Sequence, residues 1–225
     1  MYKSDIIEVS CFKTAGIRRW NMHKLSLAML LLLMVSFLAG CGQKQTVAKE
    51  ELTITKNGQI TSVLAEPFDK DYYELEELRD MIQLELSLYN REAGRQAIEL
   101  ENLEVVEGKC VAVLNYESAE DYAQYNEIPF FAGTVQEALD AGVNLSVTLK
   151  EAGKDSTIGR AEISAMQEYH LVVWYGDMPV VTPGKIRYYG DNLQLLGSKK
   201  IVAEDDAEDR NDPDEQIGPF YLLYK

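Results

Sequence analysis

The stretch "ELTITKNGQITSVLAE", residues 51–66, alternates apolar and polar side chains on both sides of Asn57-Gly58. A period of two commits such a segment to β-strand, because successive side chains of a strand point to opposite faces. Asn-Gly offers the two positive-φ residues of a type I′ turn, so the segment reads as an antiparallel hairpin. "LEVVEGKCVAVLNY", residues 103–116, repeats the pattern with Glu107-Gly108 at the turn and with Cys110, Ala112, Leu114 and Tyr116 on one face.

Between the hairpins the period changes. From Asp71 to about Asn90, Leu75, Leu78, Ile82, Leu86 and Tyr89 share one helical face, and Glu76, Asp80, Gln83 and Ser87 the other. Asp71 is placed to cap this helix, with Glu74 at the capping-box offset and Gly94 as its exit. Ser118 fits the N-cap of a short helix in "SAEDYAQYN", and Thr134 with Glu137 forms a second box opening a helix over residues 135–141 that Gly142 ends. The order hairpin, helix, hairpin, helix carries matches at an offset of fifty: Gly58 with Gly108, Val63 with Val113, Leu64 with Leu114, Asp71 with Asp121, Tyr72 with Tyr122. A shared hairpin-helix grammar accounts for them better than a duplication does. Beyond Gly142 the chain turns to strands in "VNLSVTLK", "EYHLVVWYG", "GKIRYYGDNLQLLGSKKIVAE" and "PFYLLYK". The expected fold is therefore α+β, a mainly antiparallel sheet built from hairpins with one long and two short helices packed on it, forming a single domain over residues 51–225.

The N-terminal part has a different character. Leu25 to Gly40 gives sixteen residues without a charge, short of the roughly 20 an α-helix needs to span a bilayer. His23 and Lys24 precede the run and small residues end it, the layout of a cleaved export signal. Leu38-Ala39-Gly40-Cys41 resembles the lipobox of bacterial lipoproteins. That resemblance implies diacylglycerol on the Cys41 thiol, cleavage between Gly40 and Cys41, and a protein held on the extracytoplasmic face of the cell membrane. Two acyl chains give stable anchoring where one gives only marginal binding. Met22 is the natural start of such a signal, which makes residues 1–21 an upstream extension or a long n-region, residues 22–40 the signal peptide, and residues 41–50 a polar tether. The remainder is similar to small lipoproteins of Gram-positive bacteria, a likeness that bears on location and implies no activity.

Residues 41–225 carry 17 basic and 35 acidic side chains, a net charge of −18. That balance argues against nucleic acid as a partner and against direct adsorption on anionic headgroups. Only Cys41 and Cys110 lie in this part; with Cys41 acylated, the core holds without a disulfide. Cys110 reads as a buried, inert thiol packing as a small hydrophobe.

Chemistry is sparse. There is no C-x-x-C, H-E-x-x-H, P-loop or G-x-G-x-x-G, and no G-x-S-x-G elbow to pair with His170, the one histidine after the signal. Glu74, Glu76, Glu77 and Asp80 fall in the first turns of the long helix, where its dipole favours acids. Eight acids crowd the run Glu204 to Glu215; it reads as a solvated loop, and its one alternative is a weak calcium site from Asp205, Asp209, Asn211 and Asp214 that lacks EF-hand spacing. The paired tyrosines Tyr72-Tyr73 and Tyr188-Tyr189 suit strands and exposed recognition faces alike. No cofactor is expected. The expectation for function is a non-enzymatic binding or interaction module with an envelope protein as partner, the alternatives being a weak cation or small-solute binder and an enzyme of unrecognised type.

Overall fold

A computed structural model describes residues 49–70, 73–204 and 217–225, all within the compact unit Thr46–Lys225. The described residues are mixed α and β, with more strand than helix. The first hairpin, β1 (Glu51–Ile54) and β2 (Ile60–Pro67), is followed by the long helix α1 (Leu75–Ala93), the second hairpin, β3 (Ile98–Val106) and β4 (Lys109–Tyr116), and α2 (Ala119–Tyr125). Then come β5 (Phe131–Thr134), α3 (Val135–Asp140), β6 (Leu149–Glu151), β7 (Thr157–Ile158), α4 (Arg160–Ala165) and β8 (His170–Trp174). Five strands close the chain: β9 (Val180–Val181), β10 (Ile186–Tyr189), β11 (Leu193–Leu195), β12 (Lys200–Ala203) and β13 (Phe220–Tyr224).

These strands make two sheets where one was expected. The first has the order β11-β12-β9-β1-β2-β4-β3 and the second β5-β8-β13-β10-β6-β7. Pairing is antiparallel except between β1 and β9, which run parallel with Leu52 opposite Val180. Two sheets arise because β13 is buried along its whole length, so each of its faces needs a cover. Phe220, Leu222 and Tyr224, with Val172 and Trp174 of β8, join Leu52, Ile54, Ile60, Leu114 and Ile201 of the first sheet in one core. Tyr221 and Leu223, with Leu171 and Val173, face the other way onto Val135 and Ala138 of α3 and Ile163 of α4.

The helices number four among the described residues, one long and three short. Helix α4 is the unexpected one: Gly159 at its N-cap has no side chain to signal a start, and only the return bond from its N–H to Glu162 Oε2 is made, at 3.1 Å. Ser118 caps α2 as anticipated, its Oγ accepting from Asp121 N–H at 3.1 Å. Thr134 and Glu137 form the complete box of α3. Helix α1, by contrast, begins at Leu75 with Glu74 at the N-cap and no side-chain cap; Glu74 therefore cannot be the third residue of a box opened by Asp71, which itself lies outside the described residues. The exit at Gly94 is as expected, with φ 69°.

The turns exchange roles. In the first hairpin Gly58 has φ 82°, but Asn57 is not left-handed; Gly58 N–H donates to Thr55 O at 3.1 Å and Thr55 N–H to Gln59 O at 2.9 Å. This is a three-residue loop, a tight turn closed by one left-handed glycine, rather than type I′. The two-residue I′ geometry occurs instead at Glu107 (φ 51°) and Gly108 (φ 77°), between paired Val106 and Lys109. In "VNLSVTLK" only the end, at Leu149, becomes strand.

Candidate functional site

Helix α1 lies over the β2-β4-β3 end of the first sheet, pressing Leu86, Ile82 and Tyr89 into the main core. Leu86 is its one fully buried residue among nineteen, so the helix sits high, and toward its N-terminus it leaves a groove of about 440 Å³. The floor is Leu64 of β2, Cys110 and Ala112 of β4 and Leu103 of β3; Leu78, Met81 and Ile82 form the helix wall, and Phe68 and Tyr73 close the end with ring centroids 5.1 Å apart. The register of β3 against β4 slips by one between Leu100 and Asn102. That slip keeps Leu103 on the inward face, as a bulge re-aims a strand's side chains.

Carboxylates stand at the edge. Glu66, Glu74 and Glu77 line the groove, and among the described residues no lysine or arginine does. Arg79, on the same helix, is engaged: its Nη2 donates to Leu103 O at 2.8 Å and its Nε stands 3.8 Å from Glu76. From Met81 in the groove wall the apolar surface continues along α1 through Leu84 and Leu88, the three being 55, 60 and 41% exposed. Their i, i+3, i+7 spacing makes one stripe. Val105, 42% exposed, adds apolar surface on β3.

Cys110 is brought to this groove, and burial pushes its thiol up with only partial relief from Arg79. A thiol held protonated is a packing group rather than a nucleophile, in line with the reading from sequence. Among the expected positions, Glu74 and Glu77 meet Cys110 at the groove. His170 is elsewhere, at the start of β8, stacked on Tyr224 at 4.9 Å. Cys41, Asp205, Asp209, Asn211 and Asp214 lie outside the described residues. No cluster of three or more metal-ligating side chains exists among the described residues, and none of their helices is long and apolar enough to cross a membrane.

A second polar constellation joins the C-terminal end of α1 to α2. Arg95 Nη2 donates to both oxygens of buried Asp121 at 2.8 and 2.9 Å, and its Nη1 to Glu117 at 2.8 Å. Ser118 Oγ donates to Asp121 Oδ2 at 2.6 Å, and Tyr89 OH lies 3.4 Å from Oδ1. Every partner named lies within this chain, so the cluster is a clasp: a buried carboxylate held by a guanidinium and a hydroxyl. Sequence spacing does not reveal it, because Arg95 and Asp121 are joined only by the fold. Nor did the periodicity of α1 point to the outer stripe.

No protein-family model matches this chain, and no curated protein and no solved structure shows significant similarity to it.

Proposed function

We propose that this chain is a lipid-anchored protein of the extracytoplasmic face of the cell membrane that acts as a non-enzymatic binding module, with the α1 groove as its recognition surface. The observation that carries the binding role is the groove continuing into the Met81, Leu84, Leu88 stripe. Contiguous exposed apolar surface rimmed by polar groups marks interaction sites on soluble domains. An apolar cleft gains affinity by burial and needs no reacting group. The anchoring role rests on Leu38-Ala39-Gly40-Cys41 and on an uncharged run too short to span.

Two arms test the reading together. Intact mass of the membrane-extracted protein is expected to begin at acylated Cys41, and Cys41→Ser to abolish the lipid mass; residues 22–40 still attached to an unmodified Cys41 would sink the anchor. A photo-crosslinking residue at Leu84 in producing cells is expected to yield a discrete adduct, and one at Lys56, in the β1–β2 turn, none. Equal labelling at both positions, or at neither, removes the groove as the recognition surface.

A further inference from the structure

Resting on the groove as recognition surface, we infer that its occupant is a cationic amphipathic peptide: a helix whose apolar face meets Met81, Leu84 and Leu88 and enters the groove, and whose lysines or arginines meet the acidic rim. Three features converge on this chemistry. From Met81 to Leu88 the stripe runs about 10 Å along the helix axis and then continues into the groove, an elongated surface suited to an apolar helix face read at i, i+3, i+4, i+7. Glu66, Glu74 and Glu77 line the groove with no cation among its described lining residues, and Arg79 is already held by Leu103 O and Glu76. Asp80 and Glu85 stand on the exposed surface of the same helix.

The other occupants fit less well. A second copy would bring like charge against like, since the described domain belongs to a part of the chain with net charge −18. An anionic lipid surface is repelled for the same reason. A small neutral apolar molecule could fill the groove, but it would leave both the stripe and the carboxylates uncovered. A basic, apolar-faced helix satisfies all three at once, and its association is steered by the field of the whole domain.

The test uses the full chain reconstituted in phosphatidylcholine nanodiscs, with empty discs as blank and fluorescence anisotropy of a labelled leucine-lysine amphipathic helix as readout. That peptide is expected to bind, and Met81→Glu or Leu84→Glu, both at exposed positions, to weaken it at least about tenfold. Glu74→Gln with Glu77→Gln is expected to weaken binding and to flatten its salt dependence. Glu74→Lys with Glu77→Lys should switch preference to a leucine-glutamate helix, a gain that a merely unfolded variant could not show. Binding unchanged by Leu84→Glu, or equal binding of a serine-lysine peptide of the same charge, overturns the proposal. So does self-association of the unmodified chain that Leu84→Glu abolishes, because a second copy then covers the face. Failure of the peptide alongside a persisting crosslink at position 84 overturns the cationic partner while leaving the groove's role standing.

Discussion

Glu137 reaches back to its own helix start, where its Oε2 accepts from Thr134 N–H at 2.6 Å and Thr134 Oγ1 at 2.8 Å. The backbone bond from Thr134, followed by the hydroxyl, holds its carboxyl below the ordinary value of 4.5. A depressed folded pKa means the carboxylate stabilises the protein above that ordinary value and loses the contribution as pH falls through the lowered one. Glu137→Ala should therefore cost a few tenths to about 1 kcal/mol at neutral pH. The difference should narrow as pH falls through the lowered value; urea titrations of both proteins over a series of pH values from neutral downward check it, and a gap independent of pH contradicts the assignment. This box was legible because its residue types and spacing are local. The I′ turn was not. Asn57-Gly58 has the better I′ chemistry, yet Glu107 takes the left-handed corner at φ 51°, a conformation costing a non-glycine residue roughly 1–2 kcal/mol. The eight paired rungs between β2 and β4 and the matching ladder between β3 and β4 fix that register regardless of the turn's own preference.

At the scale of elements, α1 holds two interleaved apolar ladders. Leu78, Ile82, Leu86 and Tyr89 form one, and Met81, Leu84 and Leu88 the other. Both satisfy helical spacing, so a 3.6-residue period identifies a helix without saying how wide its buried face is. The choice is tertiary: Ile82, Leu86 and Tyr89 join Ile98 and Leu114 in the main core, while Met81, Leu84 and Leu88 stay largely exposed. The two ladders should respond differently to truncation. Leu86→Ala is expected to cost about 2–5 kcal/mol, and Leu84→Ala to stay within about 0.5 kcal/mol. Chemical denaturation with a constant m-value decides it. A large loss at Leu84 would mean the outer ladder is buried in the folded protein in solution. Helix α4 escaped the sequence reading for a related reason: six residues behind a glycine cap offer too little pattern to register a period.

For the whole molecule, hairpins, strand-rich second half and capped helices were legible, whereas the division into two sheets was not. It depends on β13 pairing with β8 on one side and β10 on the other, contacts that no local signal encodes. The same holds for β1, which is flanked by β2 and β9 and tied by Glu51 to Lys200, 149 residues away, at 2.5 Å. Deleting residues 49–54 removes a central strand rather than a frayed edge, so the shortened chain is expected to lose its cooperative urea transition. A transition surviving within about 1 kcal/mol would contradict that placement. The position of β1 also has a mechanical meaning. Tension arriving through the chain ahead of Glu51 runs along β1, across the hydrogen bonds it makes on both sides. When the pull lies along the strand axis, they are loaded together in shear rather than unzipped one at a time.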